Sequence, residues 1–336
     1  MEMTDQKELI AALQLQIDEA ILPLVPRFEQ LILLDFPNHA NVGDSAIYAG
    51  ELEFFSKRFQ ARPSIISDAT NIPWGRIENS NAADPIFLHG GGNFGDLWPQ
   101  HQVLREEILK RFPGRLVIQL PQSIHYGDEG KIDQTAKTIR EHGNFVLLVR
   151  DEASFEIAKS NFQCEVRRSP DMAFHLGALK PPRRPVHELL LLLRDDREKR
   201  AEESTGGPDL PPGTLVTDWL EDKKSMKAGA KAMTAIKALL KGEAGEMAVR
   251  RNYFELLAMN RLRRGVDLLS SGNFIITDRL HVHILSILLD INHVVLDNSY
   301  GKVSRFINLW TSGFAKMTQA DSLSRALELY KPVAVQ

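Results

Sequence analysis

The stretch HGGGNFGD at 89–96 places three consecutive glycines directly after the apolar run PIFL at 85–88. Because Gly90, Gly91 and Gly92 carry no Cβ atom, their backbone N–H groups could approach a ligand closely, and such a loop or helix start suits an anion. The spacing matches neither the GxGxxG dinucleotide loop nor the GK[ST] phosphate loop. A tight turn between a strand and a closely packed helix explains the same glycines, so the run alone does not define a site.

A weaker form of the same pattern occurs in LILLDFPNHANVGDSA at 31–46, where an apolar run again breaks into polar residues and glycine. Working loops of open parallel sheets lie at the carboxyl ends of the strands, so both loops are expected to face a ligand. The candidate contacts from the two loops are Asn41, Gly43, Asp44, Gly90, Gly91, Gly92, Asn93 and Asp96.

The segment NFIITDRLHVHIL at 273–285 combines a cation with an acid–base residue. Arg279 offers a fixed fork of donors for phosphate or carboxylate, and His281 can transfer a proton near neutral pH. A helix cap by Thr277 or Asp278 beside a surface arginine explains each residue singly, but explains the four together less well. Arg279 is expected to be exposed at its strand end.

Two more strand ends carry polar or charged side chains. Arg194, also expected to be exposed, ends the run HELLLLLR, and Tyr300 and Lys302 follow the run HVVLD. Such groups are available to a ligand at the edge of an open sheet. His283 and His293 are interpreted as packing residues, because no third ligand completes a metal site near them. No metal site is expected.

Length and composition favour a soluble protein of two domains. The chain has 336 residues, of which 43% are hydrophobic, and its formal net charge of -3 provides no field for nucleic acid and no polybasic membrane anchor. The single cysteine, Cys164, suggests a reducing compartment and is interpreted as a small buried residue. The N-terminal segment is interpreted as an amphipathic helix rather than a secretion signal. Polar residues interrupt the most apolar stretch, 280–296, so no membrane span is expected.

Apolar runs alternate with helix-like stretches, which is typical of parallel sheets covered by helices. The proline-rich connection at 181–185 separates two such series and predicts two doubly wound, Rossmann-like α/β domains, at 1–180 and 185–336, that face a cleft. The polar segment 195–213 is predicted to be a mobile loop. Strands are predicted at 31–36, 64–67, 85–88, 115–119, 145–149, 187–194, 214–218, 273–278 and 293–297, and helices at 45–59, 101–112, 129–142, 151–160, 225–241 and 244–270.

An ordered set of segments along nearly the whole chain resembles the polysaccharide pyruvyl transferase family. The resemblance implies two domains arranged as in the glycosyltransferase B architecture. It also implies transfer of the enolpyruvyl unit of phosphoenolpyruvate onto two hydroxyls of a sugar, which gives a cyclic pyruvate ketal and phosphate. The segments are NHANVGDSAI at 38–47, FLHGGGNFGDLW at 87–98, LPQSIHY at 120–126, VRDEASFE at 149–156, SPDMAF at 169–174, LLRDDRE at 192–198, TDRLHVHI at 277–284 and DNSYGKVSRF at 297–306.

The resemblance implies roles for the candidate residues. His281 matches the family's important histidine and is expected to be the general acid and base, with Asp44 as a second catalytic group. Arg194 and Arg279 are expected to hold the phosphate and the carboxylate of the donor. The other expected contacts are Tyr300 and Lys302 to the donor, and Asn41, Gly43, Gly90, Gly91, Gly92, Asn93, Asp96 and Gln122 to the acceptor or within the loops.

The implied partners are phosphoenolpyruvate and a lipid-linked glycan acceptor of exopolysaccharide or cell-surface glycan synthesis, with no cofactor and no nucleic acid. The expected location is the cytoplasm, with peripheral contact to the inner membrane face. A nucleotide-sugar glycosyltransferase of the same architecture is the alternative enzyme, because a diphosphate could use the same arginine and glycine loops. A binding protein that has kept the fold without catalysis is the alternative outside enzymes.

Overall fold

The protein is described by a computed structural model that covers residues 5–194, 209–219, 222, 229–230, 233–234, 245–297 and 301–330. Tyr300, most of the predicted loop 195–213 and most of the predicted helix 225–241 lie outside these residues, as does the side chain of Lys302.

The larger of two parallel sheets has seven strands in the order β2-β1-β3-β5-β6-β7, with β4 paired to β5 beside that path. Parallel neighbours need crossover connections, and helices supply most of them. The central strands are buried along their whole length, which explains why they appear in the sequence as continuous apolar runs. The strands are β1 Ile32–Phe36, β2 Ile65–Asp68, β3 Ile86–Leu88, β4 Gly91–Gly95, β5 Val117–His125, β6 Phe145–Val149 and β7 Glu165–Arg168.

The smaller sheet has five strands in the order β12-β11-β10-β8-β9, and all its pairings are parallel. Its central strand β10 is in register with β8 on one side and β11 on the other, so the residues that follow these three strands leave the sheet at one edge. The strands are β8 His187–Leu192, β9 Thr214–Thr217, β10 Gly272–Thr277, β11 Asn292–Leu296 and β12 Met317–Ala320.

Helices cover both sheets, and several begin at side-chain caps that satisfy their first N–H groups. Asn41, Asp128 and Asp151 each accept a backbone N–H at the start of a helix. The helices are α1 Gln6–Ile21, α2 Val42–Phe59, α3 Trp74–Glu78, α4 Pro99–Arg111, α5 Glu129–His142, α6 Glu152–Asn161, α7 Glu246–Leu269, α8 Leu280–Leu288, α9 Lys302–Phe306 and α10 Leu323–Leu329, with 3₁₀ turns at Leu22–Leu24 and Met172–Leu176 and a π turn at Ile307–Thr311.

One continuous apolar core joins the two sheets. It contains Phe36 and Ile118 of the larger sheet together with Leu190 and Ile275 of the smaller one. Phe254 of α7 stacks on Phe36 with ring centroids 4.0 Å apart. The loops at the strand ends of both sheets are therefore carried on one packed interior.

The expected α/β class with parallel sheets is confirmed. Strands β4, β7 and β12 were not predicted, because β4 consists largely of the glycine run and the other two are short edge strands rich in polar residues. The division into two domains and the glycosyltransferase B arrangement stay predictions. Within the described residues, none of the helices is long and apolar enough to cross a membrane.

Candidate active site

A cavity of about 410 Å³ lies where the carboxyl ends of strands from both sheets meet. This is the usual place for a ligand in open parallel α/β sheets. The loop after β1, the start of α2, the β3–β4 segment and the start of α4 form one wall, and residues that follow β8, β9 and β10 form the other. The lining residues are Pro37, His39, Ala40, Asn41, Asp44, His89, Gly92, Asn93, Trp98, Gln100, His101, Arg150, Arg194, Trp219, Arg279, Leu280, His281 and Val303.

His281 stands in the first turn of α8 and packs against the first turn of α2. A Cβ atom built on Gly43 would lie 2.4 Å from Nδ1 of His281, so only glycine permits this approach. The Nε2 atom lies 3.4 Å from Oδ2 of Asp171, which is within ion-pair distance although the pair lacks hydrogen-bond geometry. The histidine of the smaller sheet is therefore held between two elements that belong to the larger one.

Asp171 and Arg150 form a buried ion pair beside this histidine. Nη1 of Arg150 lies 2.5 Å from Oδ2 of Asp171, and Nε of Arg150 donates to Ser123 Oγ at 3.0 Å. Burial alone would raise the pKa of Asp171, but its contact with His281 and the charge of Arg150 hold that pKa well below its usual range. Asp171 is therefore a permanent anion that orients both the guanidinium and the imidazole.

The sequence reasoning missed Arg150 and Asp171 as site residues. Arg150 follows the apolar run FVLLV directly, just as Arg194 follows its own strand, so strand-end position was a usable signal. Asp171 follows a short edge strand and a proline, and no local pattern marks it.

Asp44 lies in the first turn of α2, where Asn41 caps the helix by accepting the Gly43 N–H at 2.9 Å. Burial alone would raise the pKa of Asp44, but His39 and His281 outweigh it and lower that pKa. Nε2 of His39 lies 3.7 Å from Oδ2 of Asp44. The structure thus brings the predicted second carboxylate to the cavity in its charged form, which suits it to stabilising a neighbouring cation.

The two predicted arginines both reach the cavity, but Arg279 is not exposed as expected. It is only 4% exposed, and its Nη2 lies 2.6 Å from Oδ2 of Asp218, which follows β9. Arg194 is partly buried, and its backbone N–H donates to Oδ1 of Asp278 at 2.9 Å. Burial raises the pKa of Asp278 to about 6 despite this hydrogen bond and the two arginines nearby.

The glycine run forms strand β4 rather than the start of a helix. Gly91 and Gly95 have φ angles of 126° and 110°, which glycine adopts readily. A Cβ atom on Gly95 would lie 1.9 Å from the carbonyl oxygen of His125 on the paired strand. Most of these glycines therefore serve close strand packing, and only Gly92 of the run lines the cavity.

The predicted loop contacts divide into two groups. Asn41, Asp44, Gly92 and Asn93 line the cavity. The side chain of Asp96 instead accepts the backbone N–H groups of Gly127 and Asp128, and Gln122 is buried with hydrogen bonds to Asn93 and to the carbonyl of His89. The remaining predicted positions outside the lining are Gly43, Gly90 and Gly91.

A second polar group of the cavity wall was also missed. Nδ1 of His101 lies 2.6 Å from Oδ1 of Asp35, and Oδ2 of Asp35 accepts from Asn93 at 3.2 Å. Asp35 has a φ of 73°, an uncommon backbone conformation for a non-glycine residue. Arg105 donates to Asn93 from behind, and burial lowers its pKa to about 10. The network fixes the orientation of His101 and Asn93, and a buried aspartate within LILLDF was its only sequence signal.

No group of three or more His, Cys, Asp or Glu side chains that could hold a metal ion is found among the described residues. The polar groups that reach the cavity are mainly guanidinium, imidazole and amide groups, together with the carboxylate of Asp44. Such a set favours the binding of an anionic ligand and the transfer of protons.

Comparison with known proteins defines the class to which this chain belongs. The sequence profile of the family described as "Polysaccharide pyruvyl transferase" matches residues 41–300, so the chain belongs to that family. Pyruvyl transferase 1 of Schizosaccharomyces pombe is 30% identical over 90% of this chain and 75% of its own length. EpsO of Bacillus subtilis is 29% identical over 92% of this chain and 94% of its own length. The chain is accordingly similar to pyruvyl transferases along most of its sequence.

A solved structure supports the fold. The crystal structure of a functionally uncharacterised protein of Klebsiella pneumoniae matches with a TM-score of 0.58 and 22% identity, over 92% of this chain and 99% of that protein.

Proposed function

We propose that this pyruvyl transferase takes its pyruvyl group from phosphoenolpyruvate and forms a cyclic ketal on two hydroxyls of a glycan, with release of phosphate. The observation that carries the proposal is the convergence of Arg150, Arg194 and Arg279 on one cavity that also holds the His281–Asp171 pair.

The arginines suit a donor with two anionic groups. Phosphoenolpyruvate carries a phosphate and a carboxylate on three carbons, and guanidinium groups bind both in a bidentate manner. Arg194 and Arg279 follow strands of the smaller sheet, whereas Arg150 follows a strand of the larger one. A Cβ atom on Gly92 would lie 3.3 Å from Nη2 of Arg150, so a larger residue at this position would crowd the guanidinium. The donor is proposed to bridge the two sheets through these contacts.

His281 is proposed to carry out the acid–base chemistry at the donor. With Nε2 facing the Asp171 carboxylate, Nδ1 is the ring nitrogen left to exchange a proton with the substrate. As imidazolium it protonates the methylene carbon of the donor, which leaves an oxocarbenium-like centre at the neighbouring carbon. As imidazole it accepts the proton of the attacking hydroxyl. Asp44, held in its charged form, stabilises the positive imidazolium and is the second candidate base.

The acceptor is proposed to enter past Trp98. This side chain lines the cavity yet is 45% exposed, and an exposed aromatic face suits the apolar face of a sugar ring. Asn93 and His101, fixed by the Asp35 network, provide hydrogen-bonding groups beside it. A lipid-linked glycan precursor is the proposed acceptor, and the cytoplasmic side of the membrane is the proposed place of reaction.

Ligand-induced stabilisation tests the donor. Phosphoenolpyruvate should raise the melting temperature of the purified protein, whereas pyruvate alone should do so much less, because a ligand that binds only the folded state stabilises it. Phosphate release from phosphoenolpyruvate in the presence of glycans, followed by mass spectrometry of the glycan, tests the transfer. Stabilisation by nucleoside diphosphates instead would contradict the proposal and favour a nucleotide-sugar glycosyltransferase.

A further inference from the structure

Besides His281 and His101, the cavity wall contains a further histidine that has its own buried carboxylate. His89 follows β3 and is 1% exposed, and its Nδ1 lies 2.9 Å from Oε2 of Glu51. Glu51 stands on α2 with 0% exposure, and its other oxygen accepts the backbone N–H of Gly90 at 2.8 Å. Both carboxylate oxygens are therefore occupied, and the imidazole is fixed with its proton on Nδ1.

The other ring nitrogen of His89 has no hydrogen-bond partner. Nε2 is buried, and it makes no hydrogen bond to any of the described residues. Two buried histidines outside the cavity differ from His89: His142 has both ring nitrogens near carbonyl oxygens, and His283 has both near side-chain partners. Nε2 of the buried His175, by contrast, also has no hydrogen-bond partner, so the position of His89 at the cavity is what distinguishes it. Buried polar atoms left unpaired are costly and rare, so each one needs an explanation.

We propose that His89 is a second acid–base residue of the cavity and that Glu51 is its positioning residue. This inference rests on the proposed function, because the reaction described there needs two proton transfers. The residue lines the same cavity as His281 but comes from the other sheet. The two imidazoles are therefore carried to the one cavity by different sheets.

The proton balance of the reaction assigns the proton of one acceptor hydroxyl to each histidine. Two C–O bonds form at the central carbon of the donor, the bond from that carbon to the phosphate oxygen breaks, and the C=C electron pair takes up a proton. His281 moves the proton of the first hydroxyl to the methylene carbon. His89, as imidazolium, protonates the departing phosphate and then accepts the proton of the second hydroxyl as the ring closes. Each imidazole returns to its starting state, and no oxidant or reductant is needed.

The charges around His89 suit this task. Burial alone would lower the pKa of His89, but the carboxylate of Glu51, with smaller contributions from Asp35 and Asp44, raises it above the ordinary value. The imidazolium is thus available near neutral pH. Other titratable side chains also surround His89. The ring centroid of Tyr48, on α2, lies 6.1 Å from that of His89, and His39, His101 and Arg150 line the same cavity.

Substitution of the dyad tests the inference. His89→Gln retains an amide near the position of Nε2 but cannot exchange a proton. We expect kcat to fall by at least about 10²-fold while KM for phosphoenolpyruvate changes less than about threefold. Glu51→Gln should lower kcat about tenfold and move the basic limb of the kcat profile to lower pH, because loss of the carboxylate disfavours the imidazolium. A merely structural role would lower the melting temperature without moving that limb. His125→Gln, at the end of β5 and outside the cavity lining, is the matched control.

The assay uses phosphoenolpyruvate with methyl glycosides of galactose, glucose and mannose as simple acceptors. A wild-type protein that turns over while His89→Gln keeps its rate and pH profile overturns this inference alone. A wild-type protein that neither binds nor consumes phosphoenolpyruvate overturns the proposed function as well. If His89→Gln fails to fold, imidazole ¹⁵N spectra of the wild type, with the His89 signal identified by Glu51→Gln, replace it. Phosphoenolpyruvate should then raise the apparent pKa of that imidazole, and an unchanged titration overturns the inference.

Discussion

His281 and His283 lie two residues apart on α8, yet their surroundings differ in kind. His281 lines the cavity with Nε2 3.4 Å from the Asp171 carboxylate. His283 is fully buried, with its ring nitrogens 2.8 Å from His293 Nε2 and 2.8 Å from Thr311 Oγ1. Residues two apart on a helix point roughly 200° apart around its axis, so one side chain faces the cavity and the other the core. Burial beside a second imidazole lowers the pKa of His283 well below its usual value, so its neutral form is the stable one.

The same substitution at the two positions should separate activity from stability. His281→Asn should lower kcat by about 10³-fold or more with little change in melting temperature, because it removes a proton carrier from a cavity. Phosphoenolpyruvate affinity should stay within about tenfold, because the histidine acts mainly in the transition state. His283→Asn should lower the melting temperature and leave kcat within about threefold. Titration calorimetry measures the affinity for phosphoenolpyruvate, phosphate release measures kcat, and thermal unfolding measures the melting temperature of each variant.

Two results would contradict this contrast. Substantial turnover by His281→Asn would mean that the residue is dispensable. Loss of donor binding together with activity would make it a binding residue, and the acid–base role would move to Asp44 or Lys302.

The buried pair His283 and His293 predicts a loss of stability in acid. Burial lowers the pKa of His293 from 6.5 to about 4. Burial also lowers the pKa of His283 well below 6.5, and the neighbouring imidazole of His293 adds to that shift. As pH falls, these two imidazoles therefore take up protons in the unfolded chain before they do so in the folded protein. Their contribution to the free energy of unfolding is fully present above pH 6.5 and is lost as pH falls toward 4. His293 alone contributes roughly 3 kcal/mol over this range, at about 1.4 kcal/mol per pH unit.

Urea unfolding between pH 7 and pH 4 measures this effect. In His293→Gln, the slope of the unfolding free energy against pH should be smaller than in the wild type by the equivalent of about one proton. His175, whose pKa burial lowers to about 4, contributes in the same window, so only the difference between the two proteins reports on the pair. Equal slopes would show that His293 is not buried in its neutral form.

Buried arginines allow a parallel test of cavity and core. Arg279→Gln should lower the rate with phosphoenolpyruvate about 10²-fold, because one charge-assisted clamp is lost. Arg115 is also buried, but it donates to the carbonyls of Asp84 and Ile77 away from the cavity. Arg115→Gln should lower the melting temperature without changing kcat by more than about threefold. A normal rate in Arg279→Gln would remove the arginine from the donor site.

Sequence patterns predicted the residues that local chemistry marks and missed those defined by distant contacts. Arg279 and His281 stand out because they follow an apolar strand and open a helix. Asp171, which is the nearest carboxylate to His281, is 110 positions away in the chain by the numbering, so their pairing exists only after both sheets have packed. Glu51 resembles a surface residue of an amphipathic helix, and only the fold places it against the residues that follow β3.

The fold was predicted in the same uneven way. Buried central strands were found from continuous apolar runs, and helix α5 from the helix-like stretch between two of those runs. The glycine run was interpreted either as a ligand-binding loop or helix start or as a tight turn, and not as a strand. Glycine carries no strand propensity, and its role in β4 depends on the backbone of β5 beside it. Close approach between elements is a tertiary property that a single sequence does not display.

The smallest expected effect comes from one methyl group at the contact between α2 and α8. A Cβ atom on Gly43 would lie 2.4 Å from Nδ1, 2.5 Å from Cγ and 2.8 Å from Cβ of His281, so the near end of the side chain must move as well as the ring. Gly43→Ala should lower kcat roughly tenfold, because a shift of about 1 Å spoils the position of an acid–base group. Gly75→Ala in α3, where a Cβ atom meets nothing within 4 Å, is the matched control and should leave kcat unchanged. If Gly43 acts through His281, then Gly43→Ala should have no further effect in a His281→Asn background, and full additivity of the two losses in a double-mutant cycle would show that the glycine serves another part of the cavity.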